Sequence, residues 1–484
     1  MLAITSHQGT DRIGQLIPQN IDRRILPNDI ARLSVELPVV KDCRDEDYVV
    51  MEVNKAMLEL RRNGGGPVHI NLITTYSRDF SVKELPHVKV MRRFQAWDEL
   101  PVLPEGRIGI YVGSHTHFSE KQNRAIDRFC ATYDAVVICD HTSGYYGKYK
   151  LLPTLVQLQS DITSPFPPLD LMVHIGEISA ASFNDTIPAK EVWRVSEDGE
   201  LRDPFKKLTT VFQMSEEMFF LHYGKDGCNR HVLIDECREL FGEIYEQIPE
   251  LPFCNIWTAM QLSSRLPKGA LFHMGVSNTR RCWNMFQLPE SVESACNVGC
   301  CGIDGCVSTL VGASLVNPDR LCYVVVGDLT FFYDLNSLGN HHIGTNLRVM
   351  LVNNGRGTEF RLGIHHCNVF GDDADKYMAA AGHFGNKSPL LVKHYAEDLG
   401  FHYLSATTKE EFMTALSNFT NPQLSDHSMI LEVFTDSKDE SEALYLMSHI
   451  QSDAKGMVRS KLKDAVRNVA GEKGINAIKK ILKK

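Results

Sequence analysis

No run of about 18 apolar residues occurs in this 484-residue chain, so hydropathy predicts no helical membrane span. The opening Met1–His7 lacks both the basic start and the long apolar stretch of a secretory leader. Thirteen cysteines are present, but not at the short spacings of a disulfide-stapled scaffold, and no C-x2-C pair marks a zinc site. They are read as reduced thiols, which predicts a cytoplasmic protein. Neither a phosphate-cradling P-loop nor a G-x-S-x-G nucleophile elbow appears, and no internal repeat or low-complexity tract is found. A formal net charge of -9 argues against general affinity for nucleic acid.

What is present is ordinary globular composition, 43% hydrophobic and 23% charged, in a chain too long for one core. Buried-type strands are expected at Leu2–Thr5, Pro67–Leu72, Arg107–Gly113, Ala135–Cys139 and Leu169–Ile175. Shorter ones are expected at Lys190–Val195 and Leu208–Phe212. A third group comprises Ala270–Met274, Tyr323–Asp328, Leu347–Val352 and Ser428–Phe434. Intervening helical pattern, including Asp47–Arg62 and Thr330–Leu338, predicts α/β architecture with parallel sheets flanked by helices. The proline-punctuated stretch Tyr76–Pro104 reads as a linker. Expected boundaries are 1–80 for a partial first domain, 81–245 for a central α/β domain and 246–445 for a third. A basic helical tail, 446–484, follows. From Lys455 to Lys484 that tail holds ten Lys/Arg against two Asp/Glu, with apolar stripes at helical spacing. A helix packed on the body is its plainest reading; a protein partner or an anionic surface stays open.

The most informative motif is Gly327-Asp328-Leu329, followed by Asn353-Asn354-Gly355. One apolar strand delivers a carboxylate at its C-terminal end, and another delivers a carboxamide. In a parallel sheet these ends share the edge where ligands bind. One charged and one neutral oxygen suit a hard divalent cation that keeps other positions for phosphate and water.

Four motifs in order carry a resemblance. They are Gly275-Val276-Ser277 with Arg281, Gly302-Ile303-Asp304-Gly305 with Ser308-Thr309, Gly327-Asp328-Leu329-Thr330 with Tyr333-Asp334-Leu335-Asn336, and Asn353-Asn354-Gly355. Together they resemble the cofactor-binding domain of the menaquinone-pathway succinyl-enolpyruvyl-hydroxycyclohexene-carboxylate synthases, a family of the thiamine-diphosphate enzyme superfamily. The first 75 residues and the middle unit are compatible with the same superfamily. The resemblance implies its three-domain architecture, thiamine diphosphate and Mg2+ as cofactors, and Asp328, Asn354 and the carbonyl of Arg356 as metal ligands. Gly302, Ile303, Asp304, Gly327 and Leu329 would also contact the cofactor, Ile303 as the bulky side chain that bends it. The implied reaction is ylid formation, addition to a 2-oxo acid, loss of CO2 and transfer of the remaining acyl-anion equivalent to an acceptor. Arg281 and Ser277 would face the substrates. For Arg281 a salt bridge is the alternative, for Ser277 a turn or helix cap, and for Ile303 an ordinary core position. Cys296, Cys300, Cys301 and Cys306 are read as buried thiols rather than a metal site. His341-His342 and His365-His366 are read as loop or core histidines, with His365 or His366 at the substrate mouth as the alternative.

Two departures from the family qualify this. Where its members carry an arginine just before Gly-Ile-Asp-Gly, this chain has Val298 in Asn297-Val298-Gly299. That removes a cationic fork for an anionic substrate. The family's pyrimidine-binding domain also carries a glutamate that activates the cofactor, upstream of where this sequence starts; neither Glu36 nor Glu46 matches its context. The N-terminal domain is therefore expected to be incomplete. The leading expectation is a decarboxylase/carboligase subunit completed by a small separate chain that supplies the half-domain and its glutamate, within a homo-oligomer. A truncated copy of a full enzyme and a noncatalytic protein of regulatory or assembly role are the alternatives.

Overall fold

A computed structural model describes residues 1–7, 9–10, 13, 22, 29–75, 84, 88–162, 166–177, 187–299, 301–363, 365–378, 382–385 and 387–452. The expected basic tail from Lys455 onward lies outside the described residues.

Sixteen strands occur among them, and the paired strands run parallel. Strands β1 (Leu2–His7), β2 (Leu33–Leu37) and β3 (Val68–Ile73) form a three-stranded sheet in the order β1-β3-β2. A second sheet contains β4 (Arg92–Gln95), β5 (Ile108–Val112), β6 (Val136–Ile138), β7 (Lys150–Leu151), β8 (Leu169–Ile175), β9 (Ala189–Ser196) and β10 (Leu208–Gln213). Its order is β4-β10-β9-β8-β5-β6-β7. The third contains β11 (Leu271–Met274), β12 (Glu293–Cys296), β13 (Cys322–Gly327), β14 (Leu347–Asn353), β15 (His402–Ala406) and β16 (Met429–Phe434). Its order is β12-β11-β13-β14-β16-β15. The chain divides into two compact units. Unit 1 takes residues 1–108, 168–175 and 189–223, and unit 2 takes 109–167, 176–188 and 224–484.

In unit 1, the helix Cys43–Glu59 begins where the Asp42 side chain accepts from the Arg44 and Asp45 N–H groups. It packs on β2 and β3 around Val35, Leu37, Ala56, Val68 and Ile70. Three corrections to the pattern reading arise here. Strand β1 is an edge, not a buried strand, and its Ile4 is 61% exposed. The helix starts at Cys43 and ends at Glu59 rather than spanning 47–62. The stretch taken as a linker contains β4, hydrogen-bonded to β10 from Arg92 to Gln95.

In unit 2, every residue of β14 is buried, and β13 is buried up to Gly327. Valines and leucines of both strands join Val307, Leu310 and Val311 of the helix Cys306–Val316 in one core. The expected 330–338 helix forms earlier and shorter, as Asp328–Asp334 followed by a 3-10 turn, Leu335–Gly339. No helix among the described residues is long and apolar enough to cross a membrane.

Glu440 is buried on the helix Ser437–Ser448. Its Oε1 accepts from the Asn255 N–H and the Thr435 hydroxyl, both at 2.9 Å, while Oε2 makes no aligned hydrogen bond and the Asn278 side chain lies close to the carboxyl. Burial pushes its carboxyl up to about 7, against the hydrogen bonds, which act the other way. The folded state therefore binds this proton more tightly than the unfolded chain. Its stabilising effect is present below the ordinary carboxylate value near 4.5 and is lost as pH rises toward 7. Relative to Glu440→Gln, wild type should lose about 3 kcal/mol of stability between those limits, read from denaturant unfolding at stepped pH. A difference independent of pH would contradict the assignment.

Candidate functional site

The strand ends meet as the motifs require. Strands β13 and β14 pair with Gly327 opposite Val352, which sets Asp328 beside Asn353 at the C-terminal edge of the third sheet. Asp328 is the first residue of its helix and only 3% exposed. Its Oδ1 accepts from the Leu329 N–H at 2.8 Å. Its Oδ2 is buried and makes no aligned hydrogen bond. His383 Nε2 stands 3.0 Å from that oxygen, at ion-pair distance. The Gly385 N–H donates to His383 Nδ1 at 2.9 Å, which assigns the ring proton to Nε2.

Asn354 Oδ1 is likewise buried without a partner. Gly355 follows with φ +79°, a left-handed conformation that turns the chain back toward the strand ends. The carbonyl of Arg356 accepts from the Thr358 N–H at 2.9 Å, which leaves one lone pair for a further bond. Two solvent-excluded oxygens from adjacent strand ends, one facing only His383 and the other without a partner, fit a hard cation that takes oxygen ligands. The N-terminus of the Asp328 helix adds N–H groups suited to a phosphate. The residues present therefore fit a Mg2+–diphosphate group.

One carboxylate here was not foreseen. Glu432 of β16 is 1% exposed, and its oxygens accept from Asn353 Nδ2 and the Tyr403 hydroxyl, each at 2.7 Å. Burial raises its carboxyl above the ordinary range, and the nearby Asp328 charge adds to this. A lone Glu in the apolar run Met429–Phe434 was its only sequence signal.

Gly302 and Gly305 flank half-buried Ile303 and exposed Asp304 just before the helix Cys306–Val316. A side chain at Gly302 would meet Asp304 Oδ1 at 2.7 Å, and Gly305 sits at φ +81°. Asp334 Oδ2 accepts from the Ser308 N–H at 2.6 Å and so ties this loop to the Asp328 helix.

On the other flank, Arg281 is bidentate to Glu359, at 2.7 and 2.9 Å. Its fork is thus satisfied within the chain. Ser277 precedes the helix Asn278–Trp283 but caps nothing with its side chain. Its backbone is at φ 61°, ψ -123°, a conformation natural to glycine and strained for serine. Val298 is buried.

The cysteine reading needs adjustment. Cys306 is buried, but Cys296 is half-buried and Cys301 exposed, because the loop before Gly302 runs along the surface. Cys300 lies outside the described residues. No cluster of three or more metal-ligating His, Cys, Asp or Glu occurs among the described residues. His341 and His342 are exposed, and His365 accepts from the Cys367 N–H at 3.1 Å.

Replacing Ser277 by glycine should relieve the backbone strain and stabilise the protein by about 1 kcal/mol, read from denaturant unfolding. Destabilisation would show instead that the serine side chain holds the turn.

No family model matches the chain. Individual relatives do. It is 28% identical over 472 residues to the 2-succinyl-5-enolpyruvyl-6-hydroxy-3-cyclohexene-1-carboxylate synthase of Bacteroides thetaiotaomicron, covering 92% of this chain and 81% of that protein. The synthase of Bacteroides fragilis is 28% identical over 477 residues with the same coverages. That of Christiangramia forsetii is 33% identical over a shorter stretch of 199 residues, 41% of this chain and 33% of its own length. The ordered motifs, the parallel sheet that unites them and this similarity over most of its length make the chain similar to the 2-succinyl-5-enolpyruvyl-6-hydroxy-3-cyclohexene-1-carboxylate synthases.

Proposed function

We propose that this chain is the larger part of a thiamine-diphosphate-dependent decarboxylase/carboligase that joins a 2-oxo-acid donor to an acceptor through a new C–C bond. The observation that carries this reading is the pair of buried oxygens at adjacent strand ends, Asn354 Oδ1 with no partner and Asp328 Oδ2 with only His383 Nε2 before it. With the Arg356 carbonyl they would hold Mg2+ against the diphosphate. When bound, thiamine diphosphate supplies the electron sink that decarboxylation requires.

The chain's own residues do the rest. Gly327 brings the strand end close, and the N–H groups that follow Leu329 would face the anion. Ile303, raised between two glycines, would set the cofactor's bent shape, with Gly302 and Asp304 beside it. Glu432 holds Asn353 through its amide and adds negative charge that favours a cation. Ser277 and Arg281 stand on the substrate side. For Arg281 to grip a substrate carboxylate, that group must take over from Glu359, so binding and release of Glu359 would be coupled. Residues 1–80, 81–245 and 246–445 correspond in this reading to pyrimidine-binding, central and diphosphate-binding domains. The glutamate that activates the cofactor would come from a further segment that completes the first domain's sheet, and the working site would lie in a homo-oligomer.

The committed Arg281–Glu359 pair and the valine at 298 favour one second reading, a cofactor-fold protein with a regulatory or assembly role.

Asp328→Asn should weaken Mg2+-dependent thiamine diphosphate binding roughly 100-fold or more in titration calorimetry, since it removes the charged ligand. Unchanged affinity would overturn the metal assignment. Native mass spectrometry of protein purified from its source with Mg2+ and thiamine diphosphate separates the two readings. Cofactor together with a bound small subunit supports the enzyme. A cofactor-free species without such a subunit contradicts it.

A further inference from the structure

A cavity of about 520 Å³ lies within unit 1, and none of the motif residues described above lines it. Its wall is built by the start of β2, one face of the helix Cys43–Glu59, strand β4 and the turn after β9. Five basic side chains line it, Arg32, Lys55, Arg62, Arg93 and Arg202, against three acidic ones, Glu52, Glu59 and Glu200.

The acidic groups are all engaged. Glu52 pairs with Lys55 at 2.7 Å. Glu59 and Glu200 both pair with Arg62, at 3.4 and 2.5 Å. Asp198, in the same turn, takes Arg202 at 2.7 Å. Among the described residues, Arg32 Nη1 donates to the Arg62 carbonyl, at 2.6 Å. Arg93 has neither an ion-pair nor a hydrogen-bond partner among the described residues, and its Nε and Nη1 are excluded from solvent. Arg62 Nε is also buried without an acceptor. Burial and the neighbouring Arg62 charge disfavour the Arg93 cation, and the more distant Glu59, Glu200 and Asp198 charges offset this only in part. A guanidinium beside another, with donors unsatisfied, is a costly arrangement that an anion relieves.

We propose that this cavity binds a small organic oxyanion, a carboxylate or a phosphate ester, with the Arg93 fork as its principal anchor and Arg62 and Arg32 beside it. The planar guanidinium matches either oxyanion through paired N–H donors. A volume of about 520 Å³ exceeds what one phosphate fills and lies in the range of small-molecule sites. Leu33 and Leu201 supply apolar wall for the ligand's carbon body. This site is independent of the cofactor reading.

The test is titration calorimetry of the full chain, freed of divalent metal on a chelating resin, with malonate and glycerol 3-phosphate as separate probes. Removing the metal keeps the metal-dependent diphosphate site from competing. At least one probe should bind saturably, one per chain, and the stronger of the two identifies the oxyanion class. Arg93→Gln should weaken it roughly 10- to 100-fold. Arg93→Lys, which keeps charge but loses the fork, should lie between. Asp328→Asn and Arg281→Gln should leave binding intact. Absence of saturable binding by both probes overturns the proposal. So does wild-type affinity in Arg93→Lys or Arg93→Gln, or loss of binding in Asp328→Asn or Arg281→Gln.

Discussion

A carboxylate carried almost out of water at the end of a buried strand is the constraint around which the third sheet is arranged. Burying such a charge costs several kcal/mol unless a cation or a full set of donors compensates it. Asp328 has one donor, the Leu329 N–H, for one oxygen, and His383 at 3.0 Å from the other. Glu432 adds a second buried carboxyl from β16, held by Asn353 and Tyr403. Two acidic side chains and the unpartnered Asn354 oxygen at one sheet edge make an environment suited to a cation. The strand register, with Gly327 opposite Val352 and Leu351 opposite Glu432, brings all of them to that edge.

The flank that carries Arg281 obeys a different logic. There the polar groups are already matched, since Glu359 grips both arms of Arg281 and Val298 presents no charge. In the proposed reading, selectivity on this side would rest on exchange of the Glu359 contact rather than on an open cationic fork. The strained backbone at Ser277 sits four residues away, as strain often does beside groups that must be held in one geometry.

The central strands were legible because burial on both faces demands continuous apolar runs, as in Tyr323–Val326 and Leu347–Val352. The strands that pattern missed are β2, β4, β7, β12 and β15, and each lies at a sheet edge. An edge strand is covered on fewer sides, so sequences such as Arg92–Gln95 or Glu293–Cys296 carry no apolar signature. The placement of Asp328 beside Asn353 followed from strand ends in a parallel sheet. Glu432 and His383 did not, because a single polar residue inside an apolar run and a histidine in a loop have no spacing that announces a partner. The Arg281–Glu359 pair, 78 residues apart, was equally invisible.

The most direct measurement is anomalous diffraction from crystals grown with Mn2+ in place of Mg2+ and thiamine diphosphate. The account predicts one strong peak within coordination distance of Asp328 Oδ2, Asn354 Oδ1 and the Arg356 carbonyl, with His383 displaced from the carboxylate. A peak elsewhere, or His383 still seated on Asp328 with diphosphate bound, would contradict it.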